Sequence, residues 1–235
     1  MNRVNRVLLY SGGLDSHCAA WIWKPDLCLY VFTGAPYELW ELENMRHNLT
    51  APAPVHEIYG TDLSAHALPN HMVPQRNAFL VLHAAFYGNT IAMAVTEGDG
   101  ITATDKDNYF RDSMTRLLGK LWARTPTSRP VEMVLPWKLK TKSELVRMAL
   151  RAGMPAADAI ATPSCYMPNG DACGTCNACV RKWVALELNG IEWHLRDRAA
   201  ASITDATIAA AKAGKYRMRE GAETLEALRL IGRLP

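Results

Sequence analysis

From its start to about Pro155, the chain alternates short apolar, β-forming runs with segments whose apolar residues recur at helical spacing. "VNRVLLY", "DLCLYVFTG", "VHEIYG", "NTIAMAVTEG" and "PVEMVLPW" read as strands. Between and after them, "SHCAAWIW", "YELWELENMRHNL", "RNAFLVLHAAFYG", "NYFRDSMTRLLGKLW" and "TKSELVRMALRAG" read as helices, the last stopped by Gly153. The second strand is apolar nearly throughout, as a strand covered on both faces is. Such alternation predicts right-handed βαβ crossovers, and so an α/β fold with an open, mainly parallel sheet and helices on both faces, Rossmann-like. After Pro155 the rhythm breaks. A loop rich in Cys and Gly leads into helical sequence, and "ITDATIAAAKAGKY" and "AETLEALRLIG" add one or two more helices. The expected division is an α/β domain over residues 1–154 and a cysteine-bearing loop with C-terminal helices over 155–235. At 235 residues the chain is long enough for that arrangement and for a sizeable core.

The first strand ends in "SGGLDS" before the pattern turns helical. In an open parallel sheet, ligands bind beyond the carboxyl ends of the strands, and the first strand-to-helix turn is the usual phosphate seat. Unpaired N–H groups at a helix start face an anion there, aided by the helix dipole. Gly12 and Gly13 let the backbone come close to a ligand, and Ser11 and Ser16 add hydroxyl donors. The spacing fits neither G-x-x-x-x-G-K-[ST] nor G-x-G-x-x-G. A plain glycine turn with Asp15 and Ser16 capping a helix is the simpler alternative.

Cys165, Cys173, Cys176 and Cys179 form C-x7-C-x2-C-x2-C. Thiolates at two-residue spacing converge on one ion, and four of them complete the tetrahedron of a structural Zn²⁺ site. An iron–sulfur cluster is the competing reading, and free or disulfide-bonded cysteines are the third. Cys18 and Cys28 lie in apolar runs and read as small core side chains. A net charge of +3, spread among acids along the chain, gives no footprint for a nucleic-acid partner. No stretch has the ~18 consecutive apolar residues of a membrane span or the apolar core of a signal peptide, so the expected location is cytoplasmic.

"SGGLDS" matches the SGGxDS loop of the PP-loop ATP pyrophosphatases, which split ATP between its α and β phosphates to adenylate a substrate. With the four cysteines, the chain resembles the 7-cyano-7-deazaguanine synthase (QueC) family of that superfamily. "MVPQRNAFL", "LKTKSEL" and "SCYMPNGDACGTCNACVRK" are similar to that family's Val-Pro-x-Arg-Asn, Lys-Thr-Lys-x-Glu and Ser-Cys-Tyr segments. The resemblance implies an adenine-nucleotide alpha-hydrolase-like fold and a reaction in which ATP adenylates 7-carboxy-7-deazaguanine. Ammonia then gives an amide, and a second ATP drives dehydration to the nitrile. It further implies ATP on Tyr10, Ser11, Gly12, Gly13, Leu14, Asp15 and Ser16, with Asp15 helping to hold Mg²⁺ and pyrophosphate. Asp15, Arg76 and Lys142 become the catalytic candidates; Arg76, Asn77, Asp105, Tyr109 and Lys140 the substrate-binding ones. The four cysteines would hold one structural Zn²⁺, and a homodimer with no direct nucleic-acid substrate is expected.

Plainer roles fit some of these residues: Arg76 suits a surface cation, and Thr141 with Glu144 suits a helix-capping box. Two departures from the family pattern stand out. Arg111 and Asp112 replace the usual Pro-Asp-Cys continuation after Tyr109. Where the family carries Tyr-Gly-Gln-Arg-His after the second strand, this chain has "TGAPYELWELENMRHN", in which only Arg46 and His47 resemble the pair. That segment reads as an ordinary amphipathic helix, and a variant deazapurine substrate is the associated expectation. Other classes of function are a tRNA thiolase or NAD synthetase-like PP-loop enzyme, and a binding protein without turnover.

Overall fold

The computed structural model describes residues 4–68, 73–99, 104–123, 130–163, 165 and 172–235. Five strands, β1 (Val4–Leu9), β2 (Leu27–Val31), β3 (Val55–Ile58), β4 (Gly88–Met93) and β5 (Glu132–Val134), form one sheet in the order β3-β2-β1-β4-β5. Every pairing is parallel: Leu9 stands beside Leu29 of β2 and Met93 of β4. The order reverses direction at β1, where successive connections run to opposite edges of the sheet, and this opens a crevice beyond its carboxyl end. The fold class expected from the alternation is therefore the observed one.

Period-two alternation along β1 sends Leu8 and Tyr10 to one face and Val7 and Leu9 to the other. The second face is covered by α3 (Arg76–Ala84) and α4 (Asn108–Trp122), through Val81, Ala84, Met114 and Leu118. The first carries α1 (Leu14–Trp23), α2 (Glu38–Asn48) and α5 (Lys142–Arg151). On it also pack α6 (Ala156–Ala161), α7 (Asn177–Glu187), α8 (Arg196–Ala201), α9 (Asp205–Lys212) and α10 (Arg219–Leu230). Trp183 and Trp193 are fully buried in the same apolar cluster as Leu8 of the central strand. Each such side chain contributes about 2–3 kcal/mol by leaving water.

The short helices α6 and α8 have no counterpart in the sequence reading, because six residues are too few to show a period. Conversely, "PVEMVLPW" gives only three strand residues, Glu132–Val134, since its flanking prolines cannot donate to a ladder. The expected helix "TKSELVRMALRAG" forms as α5, and its start is the reciprocal capping box of Thr141 and Glu144.

Candidate active site

The loop between β1 and α1 sits at the carboxyl end of the central strand. Gly12 takes φ +71°, a left-handed conformation, and a Cβ there would meet Cβ of Met45 at 3.4 Å. Ser16 Oγ donates to Gly13 O (3.0 Å) and accepts from Ser11 N (3.2 Å), while Gly13 N donates to Ser11 Oγ (3.3 Å). The two hydroxyls are 3.2 Å apart. These bonds curl the loop on itself. No side chain caps α1, whose first turn therefore presents backbone N–H groups at the cleft.

Beneath the loop, His17 is fully buried between Tyr10 and Asp158. Its Nδ1 lies 2.8 Å from the Tyr10 hydroxyl and its Nε2 3.1 Å from Asp158 Oδ2, which also accepts from Thr50 N at 3.0 Å. Burial drives the His17 imidazole below its ordinary pKa, against the pull of Asp158. The floor of the loop is thus fixed from α6 and from Thr50, just beyond the end of α2.

A cleft of about 300 Å³ opens above the loop. Of the residues expected there, Tyr10, Ser11, Gly13, Leu14, Asp15, Ser16, Arg76, Asn77 and Lys142 line it. Lys142 Nζ, from the first turn of α5, donates to both carboxylate oxygens of Asp15. Arg76 Nη1 donates to the Tyr37 hydroxyl at 3.1 Å, and Asn77 Nδ2 to Asp105 Oδ2 at 2.8 Å. Four candidates do not line the cleft: Gly12, which sits in the loop, and Asp105, which reaches the cleft only through Asn77, stay beside it, while Tyr109 and Lys140 lie apart. Tyr109 opens α4 with 81% of its surface exposed, and Lys140 is exposed with its carbonyl bonded to Glu97 N. Arg46 pairs with Glu57 and Tyr59 on the surface, away from it, and His47 is likewise exposed.

Three groups of cleft residues escaped the sequence reading. Arg181, on α7, donates to Asp99 (2.8 Å), to Thr96 (3.0 Å) and through two nitrogens to Glu220 of α10 (2.8 and 2.9 Å). Burial opposes ionisation of Asp99, yet Arg181 holds its carboxyl well below the usual range. Lys182 is buried, donates to the carbonyls of Ile160 (2.7 Å) and Thr162 (2.5 Å), and burial lowers its pKa to about 7. The third group is Tyr37, Glu38 and Glu41 on the wall formed by α2. "CVRK" signals two cations on one helical turn, but only the tertiary fold shows both turned toward the cleft.

Cys165, Cys173, Cys176 and Cys179 converge so that their sulfurs all lie within 4.8 Å of one another. Tetrahedral thiolate ligation at the usual Zn–S distance puts sulfurs about 3.8 Å apart; Cys173 and Cys179 are already at 3.9 Å. Cys173 Sγ accepts from the N–H groups of Thr175 (3.4 Å) and Cys176 (3.3 Å), and Cys165 Sγ from Cys173 N (3.3 Å). Burial resists ionisation of Cys173, but these N–H groups outweigh it and lower its pKa. Gly174 makes the turn with φ +73°, where a Cβ would sit 3.0 Å from Arg198 Cδ. The donor set therefore fits a thiophilic ion held by four sulfurs. Among the described residues no disulfide joins two cysteines. Ser164 and Tyr166 of the Ser-Cys-Tyr segment lie outside the described residues.

Among the described residues no helix is long and apolar enough to cross a membrane. The model of the family "Queuosine biosynthesis protein QueC" matches residues 41–190, a span that holds Arg76, Lys142, Arg181 and the four cysteines. A protein of Chlorobium limicola named 7-cyano-7-deazaguanine synthase is 28% identical over 216 residues, covering 79% of this chain and 93% of the relative. The protein of that name in Anaeromyxobacter is 28% identical over 208 residues, covering 74% and 88%. That of Chlorobium luteolum is 30% identical over 139 residues, covering 57% and 59%. With the matched model spanning more than half its length, the chain belongs to the QueC family.

Proposed function

We propose that this protein converts 7-carboxy-7-deazaguanine and ammonia to 7-cyano-7-deazaguanine, using two molecules of ATP. The observation that carries the reading is the meeting of an uncapped helix start, the Asp15–Lys142 pair and Arg181 in one cleft. Family membership and the named relatives support it.

In the first half-reaction a carboxylate oxygen of the substrate attacks the α phosphorus of ATP, and the α–β bridging bond breaks to release pyrophosphate. The N–H groups of α1 and the hydroxyls of Ser11 and Ser16 face the phosphates and stabilise the charge that grows on the leaving group. Mg²⁺, when bound, neutralises phosphate charge, and Asp15 with those hydroxyls offers the oxygen donors it takes. Lys142, which pairs with Asp15 in the free protein, serves the phosphates when they arrive. Ammonia then attacks the acyl carbon, loses a proton, and AMP departs to leave the amide. In the second half-reaction the amide oxygen attacks a second ATP, again releasing pyrophosphate. Loss of two amide protons and of AMP then leaves the carbon–nitrogen triple bond. Arg76 and Asn77 position the substrate, with Asp105 holding the Asn77 amide.

The cysteines hold one structural Zn²⁺. A closed set of four sulfurs leaves no coordination position for a substrate, and the N–H···S bonds around Cys173 resemble those of small zinc turns. Cysteines gathered as metal ligands suit a reducing compartment, and we place the enzyme in the cytoplasm. Apolar side chains exposed along α4, Leu117 and Leu121, offer a surface for a homodimer.

Incubation with ATP, Mg²⁺, ammonia and 7-carboxy-7-deazaguanine, with identification of the product, tests the reading. Nitrile with two AMP per turnover is expected. Accumulation of amide alone would assign the enzyme a shorter reaction, and absence of both AMP and product would refute the proposal.

A further inference from the structure

Four carboxyl side chains line the cleft: Asp15, Glu38, Glu41 and Asp99. Three of them already have N–H donors. Asp15 takes both its bonds from Lys142, and Asp99 takes the Arg181 guanidinium. Glu38 accepts from the backbone N–H groups of Thr33 (2.8 Å), Gly34 (2.8 Å) and Ala35 (3.1 Å) and from the Thr33 hydroxyl (2.5 Å). It thereby locks the turn between β2 and α2. Glu41, one helical turn further on, accepts a single bond, from the Tyr30 hydroxyl to Oε2 at 3.1 Å. Among the described residues nothing donates to its Oε1. A half-buried carboxyl with so few donors is costly to keep ionised, and a ligand that supplies N–H groups offsets that cost and favours the carboxylate.

Position says which ligand. Glu41 stands on the β2 flank of the phosphate loop, in the segment "TGAPYELWELENMRHN" that departs from the family pattern. The cations Lys142 and Arg181 stand on the flank reached from α5 and α7, whereas Arg76, bonded to the Tyr37 hydroxyl, is the cation on the Glu41 side. A substrate whose carboxylate reacts at the phosphates turns that group toward the loop and its cations, which leaves its opposite edge to the other wall. On a 2-amino-lactam ring, that edge carries two adjacent N–H donors, the complement of a carboxylate's two oxygens. Adenine presents one donor beside one acceptor and makes the poorer match. We propose that Glu41 is the specificity-determining residue of this cleft, reading the vicinal N–H edge of an amino-lactam nucleobase. The inference rests on the function proposed above for the class of substrate.

The test is equilibrium binding of 7-carboxy-7-deazaguanine and, separately, of a non-hydrolysable ATP analogue with Mg²⁺, to wild type, Glu41→Gln and Glu41→Ala. Glu41→Gln keeps shape and replaces one acceptor by a donor that opposes the ring N–H. It should weaken deazapurine binding at least tenfold and leave the ATP analogue within twofold. A ring lacking the exocyclic amine should bind wild type more weakly and discriminate less between wild type and Glu41→Gln. Weakening of the ATP analogue instead would assign Glu41 to adenine and overturn the proposal, as would unchanged binding of both. Retained metal content and circular dichroism report that the variants are folded. If wild type binds the deazapurine in a Glu41-dependent way but forms no nitrile or amide, the reaction is wrong and this inference stands. If it turns over with Glu41→Gln unimpaired, the inference alone fails.

Discussion

The SGGLDS loop and the cysteine cluster are both short glycine-containing turns that lead into a helix, α1 in one case and α7 in the other. They differ in what they leave open. In the loop the serine hydroxyls bond one another and the backbone, so the N–H groups of α1 remain directed at the cleft. In the cluster the N–H groups of Thr175 and Cys176 turn inward onto Cys173 sulfur, and the four sulfurs face one another. One turn leaves its backbone N–H groups uncapped at the cleft; the other consumes its backbone in holding its own side chains. Damage to the first should therefore appear in rates, and damage to the second in stability.

The sharpest separation comes from Asp15→Ala. On the proposed mechanism it lowers kcat/KM by about 10²–10³-fold, while metal content by mass spectrometry stays at the wild-type value and Tm moves by a few degrees. Cys176→Ser is the opposite case: the ion is lost and Tm falls by about 10 °C or more, because ligation free energy is folding free energy. A chelator added to wild type should reproduce that fall. If Cys176→Ser instead kept its Tm and lost only activity, the distinction would collapse.

A matched pair then follows from the two left-handed glycines. Gly12→Ala and Gly174→Ala each force a Cβ into positive φ, costing about 1–2 kcal/mol. The first should raise the Kd for ATP by more than it lowers Tm; the second should shift metal affinity and leave the ATP Kd of the loaded protein unchanged.

A further effect is a pH dependence at Glu41. Burial pushes its carboxyl up to about 8; Tyr30 and Arg76 pull the other way, and Glu38 adds to the rise. The folded chain therefore binds this proton more tightly than the unfolded chain does. Stability falls as pH rises from the ordinary glutamate range to about 8, and levels off above it. Glu41→Gln removes that slope, so its Tm advantage over wild type should grow between pH 5 and 8, read by calorimetry without ligand. An advantage that shrinks over the same interval would contradict the burial of Glu41.

Alternating apolar runs were enough to reveal the sheet, because a strand covered on both faces must be apolar nearly throughout, as "LCLYV" is. The loop and the cysteines were equally legible, since their chemistry lies in local spacing. Of the rest of the cleft, only Arg76, Asn77 and Lys142 were legible. Arg181, Asp99 and Glu220 come from three distant segments, and each alone looks like a solvated charge. The α2 wall was read as an ordinary amphipathic helix, yet Glu38 is buried against the turn it locks and Glu41 lines the cleft. Tyr109 shows the converse: its place in a motif-like stretch suggested substrate contact, whereas the first turn of α4 leaves it facing outward.

The long separations within the cleft carry a kinetic consequence. Asp15 and Lys142 are 127 residues apart, and His17 and Asp158 are 141 apart. Contacts of such high order carry a large loop-closure cost, which slows folding, and the floor and flank of the loop depend on that long-range closure. A folding intermediate holding only the sheet would have the SGGLDS turn without its lysine or its floor. On the proposed function, a nucleotide that binds only the finished molecule would stabilise it by mass action.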